Sequence, residues 1–238
     1  MYSVICGPVY KGKTGSISSN SYRAFEVVAV AASAGGVQAL QSLLAGLPSY
    51  FPAPLIIVQH LPPRSTYVSC LDWLLQRKTE LRVKWVRDGE SLLPGTVYLA
   101  PQDSATLLVE ESRRLKVVKL RRPQRIKPAA DPLFQSVAQV FGERALALVL
   151  SGALSDGAEG AARIAAAGGR VLTQRAEDAE YPYMPNAALK RCCTGPAFDA
   201  HALAHVVRSL VMAPGAAALF NIGKSGAPGG SWQASLDC

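Results

Sequence analysis

The stretch Val27-Val28-Ala29-Val30-Ala31-Ala32-Ser33-Ala34-Gly35-Gly36 decides the reading of this 238-residue chain. Its first six residues are apolar without alternation, as expected of a strand buried on both faces. It then breaks into small residues around one serine. Beyond the glycines, Val37, Leu40, Leu43, Leu44 and Leu47 recur with a helical period. Ser33 therefore falls on a tight strand-to-helix turn at the carboxyl end of a strand, the edge where open α/β sheets bind ligands. Two readings are open from this stretch alone. The turn resembles a G-x-S-x-G nucleophile elbow with Ala31 for the first glycine, its helix-start N–H groups placed to stabilise an oxyanion. Alternatively Ser33 caps the helix, and Gly35 and Gly36 form an anion-binding turn.

Working outward, the chain is 49% hydrophobic and 18% charged, enough to bury a core and too apolar for a disordered chain. A formal net charge of +8 points to acidic partners: nucleic acid, an anionic membrane surface or a Glu-rich protein. The five cysteines, Cys6, Cys70, Cys192, Cys193 and Cys238, match neither a C-x-x-C redox pair nor a zinc set. Free thiols in a reducing compartment are expected. No apolar run reaches the ~20 residues of a membrane span, and the N-terminus lacks a signal-peptide core, so a soluble cytoplasmic protein without membrane insertion is expected.

Residues 1–22 read as a flexible N-terminal extension, 23–212 as the folded, catalytic-type domain and 213–238 as a flexible tail rich in Gly, Ala, Ser and Pro. Gly7, Gly12, Lys13 and Thr14 satisfy the P-loop pattern letter by letter. That loop works only between a strand and an apolar-periodic helix, and neither flanks it here.

Within the domain, Leu55-Ile56-Ile57-Val58 reads as a second buried strand, ending in Gln59-His60-Leu61-Pro62-Pro63. Residues 65–76 suggest a helix, and 81–86 and 97–100 suggest strands. Residues 106–109 and 115–120 read as an antiparallel hairpin interrupting the α/β alternation. Asp131 reads as the N-cap of a helix running to Phe141. Residues 144–150 form the most apolar strand, followed by Ser151-Gly152-Ala153-Leu154-Ser155-Asp156-Gly157 and an alanine-rich helix. A strand at 170–173, a short helix opened by Pro185 and a last helix from His201 to Met212 complete the pattern. The fold class is α/β: a doubly wound, mostly parallel sheet with helices on both faces and an antiparallel hairpin section.

Arg113 to Lys127 holds eight basic residues and no acidic one. It fits a charged, solvated hairpin edge or a docking surface for an acidic partner. Nucleic acid is not expected, because the run lacks aromatics for base stacking.

Ser33, His60 and Asp156 each follow the carboxyl end of a predicted buried strand. Parallel strands with right-handed crossovers bring those ends to one edge of the sheet. An acyl-transfer serine needs a base to take its proton, and the base needs a carboxylate to fix its tautomer. Asp156 also fits a second role, N-cap of the helix that follows it. His201 and His205 lie four apart on the last helix, a spacing that suits a metal, but no third ligand accompanies them. The order Ser, His, Asp differs from that of the α/β-hydrolases, chymotrypsin and subtilisin.

From about Glu26 to about Met212 the sequence resembles the chemotaxis receptor protein-glutamate methylesterases, the CheB type. The resemblance rests on VVAVAASAGGVQAL, IIVQHLPP, DGESLLPGTVYLAP, DPLFQSVA, LVLSGALSDGAEG and MPNAAL, in that order. It implies a cofactor-free and metal-free serine hydrolase that removes methyl esters from glutamate side chains of methyl-accepting chemoreceptor helices. Many members also deamidate receptor glutamine. The matching motifs place nucleophile, base and orienting acid on Ser33, His60 and Asp156.

Departures from the family pattern are Ala31 for the elbow glycine, whose methyl is expected to crowd the turn, and Ser151-Gly152-Ala153-Leu154 for TGMG. Ala105 stands where a histidine is common, and Lys127-Pro128-Ala129 replaces R-P-S. These departures motivate an alternative, a catalytically weak regulatory or binding relative; a third possibility is an esterase or amidase with another carboxyl substrate. Too few residues precede Glu26 for the family's receiver domain, so a stand-alone catalytic domain is expected.

Overall fold

The computed structural model describes residues 25–62, 68–102, 104–119, 129–192 and 196–213. The N-terminal extension with its P-loop-like letters, residues 120–128 of the basic run, Cys193 and the tail beyond Ala213 lie outside the described residues, as does the side chain of Ala105.

The strands are β1 (Val27–Ala32), β2 (Leu55–Gln59), β3 (Arg82–Trp85), β4 (Thr96–Leu99), β5 (Ser104–Val109), β6 (Leu115–Lys119), β7 (Ala145–Val149), β8 (Arg170–Gln174) and β9 (Ala197–Phe198). The helices are α1 (Gly36–Ala45), α2 (Leu71–Gln76), α3 (Ala130–Phe141), α4 (Ala158–Ala166), α5 (Tyr183–Cys192) and α6 (Ala200–Met212). Seven strands form one parallel sheet in the order β3-β4-β2-β1-β7-β8-β9. β5 and β6 form the separate antiparallel pair that the sequence predicts. β9, two residues long, is too short to carry a periodic signal and is absent from the sequence reading.

β1 is the central strand, and every residue of it is buried. Successive side chains alternate between faces. Val28, Val30 and Ala32 pack with α1, α2 and α6, while Val27, Ala29 and Ala31 pack with α3, α4, α5 and the β5–β6 hairpin. This explains the unbroken apolar run: both faces of the strand need apolar side chains. The chain winds from β1 through β2 toward one edge and from β7 through β8 toward the other. The winding order therefore reverses between β1 and β7, which remain parallel, and in open α/β sheets ligands bind beyond the carboxyl ends of strands at such a topological switch point.

The described half of the basic run is engaged with its own fold. Arg113 lies 3.0 Å from Glu26 and 5.1 Å from the Phe141 ring centroid. Lys116 pairs with Glu110 at 3.3 Å, and Arg114 donates to the Gly89 carbonyl at 2.8 Å. No described helix is long and apolar enough to cross a membrane.

Candidate active site

The sheet's hydrogen-bond ladder continues past the ends of its strands. The His60 N–H donates to the Ala32 carbonyl at 2.9 Å, Leu150 N–H to Ala31 at 2.9 Å, and Ser33 N–H to Ser151 at 2.9 Å. Residues 33, 60 and 151 are thus fixed to the rigid sheet. After Ser33 the chain turns sharply: Gly35 adopts φ 72°, left-handed backbone that glycine tolerates best, immediately before α1. A Cβ there would also lie 2.6 Å from Glu180 Cβ and 2.7 Å from Ser151 Oγ. The cap position of α1 is Gly35 and not Ser33, and α1 has no side-chain cap bond.

The Ser33 hydroxyl lies 3.1 Å from His60 Nδ1. On the other side of the ring, Nε2 lies 2.7 Å from Asp156 Oδ2. The His60 side chain is only 7% exposed and that of Asp156 20%. An ionised carboxylate at Nε2 keeps the ring proton there and leaves Nδ1 as an acceptor facing the serine O–H. The structure therefore unites the three residues singled out from the sequence.

Asp156 accepts four hydrogen bonds. Oδ2 takes those of His60 and the Ala130 N–H (2.7 Å), and Oδ1 takes those of the Asp131 N–H (3.1 Å) and the Gly157 N–H (3.0 Å). Burial pushes its pKa up, but the His60 bond, the Ala130 and Asp131 N–H groups and the His60 charge together hold it below the ordinary carboxylate value.

The cap assignments differ from the sequence expectation. Asp131 does not cap its own helix: α3 starts two residues earlier than that cap implies, at Ala130, with Ala129 at the cap position and no side-chain bond from it. Asp156 supplies that cap from the neighbouring loop. Asp156 in turn does not cap α4; Asp131 Oδ1 accepts from Gly160 N–H at 2.7 Å in the first turn of that helix. The loss of a serine hydroxyl at Ala129 thus leaves no helix start unserved.

Ala31 also departs from expectation. Its methyl does not crowd the turn, because Ala31 is still in regular strand pairing, opposite Val58 and Val149. It points into the buried face against Gly157, where a Cβ would come within 3.1 Å of it.

The structure adds supporting residues that the sequence reading passed over. Gln59 is buried at the end of β2, and its amide bonds the Ser33 main chain. Its Oε1 is buried without a partner. The Ser151 hydroxyl donates to the Ala34 carbonyl at 2.7 Å and accepts from the Tyr181 N–H at 2.9 Å. Gly152 is clasped on both sides: its N–H donates to Tyr181, and its carbonyl accepts from Met184. A Cβ on Gly152 would stand 2.9 Å from Ser33 Cβ, so this loop's backbone lies against the serine. Among the described residues, no backbone–backbone turn or loop hydrogen bond uses the N–H of Ala34 or Ala153. The signal for Gln59 and Ser151 was present in the sequence, as polar side chains interrupting apolar strand ends.

His201 and His205 lie exposed on α6, with Nε2 atoms 3.4 Å apart. Among the described residues no group of three or more His, Cys, Asp or Glu side chains is placed to hold a metal.

Comparison with known proteins places this geometry in a family. Residues 28–207 match the model of the CheB methylesterase family. The chain is 40% identical over 162 residues to protein-glutamate methylesterase/protein-glutamine glutaminase 3 of Anaeromyxobacter dehalogenans, covering 68% of this chain and 47% of that protein. It is 42% identical over 159 residues to the corresponding protein 4 of Myxococcus xanthus, covering 67% and 44%. It thus spans about half the length of these curated relatives. The crystal structure of the Thermotoga maritima CheB methylesterase catalytic domain superposes with a TM-score of 0.72 at 28% identity, covering 78% of this chain and 98% of that one. An extended family match, two relatives at this identity and a solved catalytic domain with the same fold agree: the chain belongs to the CheB methylesterase family.

Proposed function

We propose that this chain is a serine hydrolase that removes methyl esters from glutamate side chains on the cytoplasmic helices of chemoreceptors, and deamidates glutamine at the same site. The observation that carries the reading is the unbroken relay from Ser33 Oγ through His60 to Asp156. The relay lies at the carboxyl edge of a sheet shared with a methylesterase catalytic domain.

Ser33 Oγ attacks the ester carbonyl carbon as its proton passes to His60 Nδ1. Asp156, held ionised by its hydrogen bonds, stabilises the resulting imidazolium without taking its proton. The backbone N–H groups of Ala34, next to Ser33, and of Ala153, next to Gly152, are the donors assigned to the tetrahedral oxyanion. Collapse breaks the bond to the methoxy oxygen, which leaves as methanol with the proton from His60. Water then attacks the acyl-Ser33 ester, giving its proton to His60. Release returns a glutamate carboxylate and the free hydroxyl. With glutamine the leaving group is ammonia.

The test is methanol release from a methylated chemoreceptor signalling-domain fragment. The parent releases methanol; S33A, folded by circular dichroism, falls by at least about 10³-fold. Equal release by parent and S33A would remove the mechanism. A folded parent that binds the fragment but releases nothing would favour a regulatory binding module instead.

A further inference from the structure

Asp131 and Asp156 stand at neighbouring helix starts, and each serves the other's helix. The α3 cap position is Ala129 and the α4 cap position is Gly157, and neither has a side-chain acceptor. Asp156 takes the Ala130 and Asp131 N–H groups of α3, and Asp131 takes the Gly160 N–H of α4. The exchange joins two helix starts from segments 25 to 29 positions apart in the chain.

The two helices meet without slack at this point. A Cβ on Gly160 would stand 2.5 Å from Phe134 Cβ and 2.7 Å from the Asp131 carbonyl oxygen. Any shift of the α3 start relative to α4 is therefore felt at once by its neighbours. The same Asp156 oxygen, Oδ2, accepts from both Ala130 N–H and His60 Nε2 at 2.7 Å. Where the α3 start lies fixes where that oxygen lies, and hence how it meets the imidazole.

We propose that Asp131 is a positioning residue for the hydrolytic site: by accepting the Gly160 N–H, it locks the start of α3 to α4 and so holds Asp156 on His60. The inference rests on the assignment of Ser33, His60 and Asp156 given above. A second observation agrees with it. Burial pushes the Asp131 pKa up, the Gly160 N–H pulls it down, and the Asp156 charge pushes it up again, for a net rise. The fold keeps a carboxylate where its charge is opposed.

The experiment measures kcat and KM for methanol release from the methylated receptor fragment with three variants at position 131. D131A removes the acceptor and lowers kcat about 10- to 100-fold, with KM near that of the parent. D131N keeps an acceptor in the same place and retains kcat. D131E keeps the charge but moves the oxygens by one methylene, and loses kcat. A D131N as impaired as D131A, a D131E as active as the parent, or a loss confined to KM overturns the proposal. If D131A does not fold, the contrast between D131N and D131E decides alone. S33A and D156N are run in the same series. If both keep full activity, the site assignment fails and the Asp131 proposal with it. If both collapse while D131A and D131E stay active, only the Asp131 proposal fails.

Discussion

Gln59 reaches back 26 positions to the main-chain carbonyl of Ser33, donating to it from Nε2 at 2.8 Å. The same nitrogen donates to the His60 carbonyl at 3.0 Å. Both partners are carbonyl oxygens, so they fix which end of the amide carries the nitrogen. One buried side chain thereby sets the distance between two elements that must meet within hydrogen-bond reach, the strand-end serine and the strand-end histidine.

Replacing Gln59 tests that role. Q59L takes the Nε2 donor from the His60 carbonyl and from the Ser33 carbonyl, which keeps the Gly36 N–H, in a partly buried place, at a cost of about 1–3 kcal/mol. Q59E sets a carboxylate against the same two oxygens and is the more damaging change. Activity falls about tenfold or more in both, because the loss acts on the Ser33–His60 distance. Denaturant unfolding and methanol release measured on the same samples check this. Full activity in folded Q59L would show that the sheet ladder alone sets the distance.

The two coupled carboxylates give opposite pH signatures. Asp156 has a depressed folded pKa, so its contribution to stability is present above the unfolded value and is lost as pH falls through the folded one. Asp131 has a raised folded pKa, so its contribution is present below the unfolded value and is lost as pH rises through the folded one. Around Asp131 stand Asp156, Glu159, Lys190 and Arg191, and beyond Asp156 stands His60. Urea unfolding at pH 7 and pH 3 separates the two carboxylates. Relative to the parent, D131N is more stable at pH 7 than at pH 3, and D156N is less stable at pH 7 than at pH 3. Slopes of the same sign in both variants would contradict the opposed shifts.

The central strands and the three strand-end residues were legible because their signals are local. β1, β2 and β7 are short apolar runs buried on both faces, and each ends in a turn that carries its polar residue one to seven positions later. The trans caps were not legible. Asp131 and Asp156 each precede or open a helix with the residue type that normally caps it, and local rules assign each to its own helix. Only the packing of α3 on α4 shows that the two are exchanged. The place of the Ala31 methyl is not legible for the same reason. Whether a methyl crowds a turn depends on what faces it, and Gly157, which makes room for it, lies 126 positions away.

Restoring glycine at position 31 follows from that packing. A31G removes a fully buried methyl from a regular strand. The loss of the methyl and the added backbone freedom together cost about 1–2 kcal/mol. Methanol release is unchanged, since the methyl points to the α3–α4 side and not toward Ser33. A large gain in activity in A31G would show instead that the alanine restricts the elbow.

A methyl at the neighbouring loop has the opposite consequence. A Cβ on Gly152 would stand 2.0 Å from Met184 Sδ, 2.8 Å from Met184 Cγ and 2.9 Å from Ser33 Cβ. The methionine is unbranched and flexible, but it is fully buried in the core, so its thioether moves aside only by displacing its neighbours. Ser33 cannot yield as easily: its N–H is bonded to Ser151 and its carbonyl to Gln59 and Gly36, so the strain falls on the angle at which Oγ meets His60. G152A overpacks the site at a cost of about 1–3 kcal/mol of stability. Its activity falls about 100-fold, the scale of a misplacement near 1 Å at a reacting atom. Thermal unfolding together with methanol release checks both halves. A G152A variant that loses stability but keeps its rate would mean that the loop, rather than the serine, absorbs the strain.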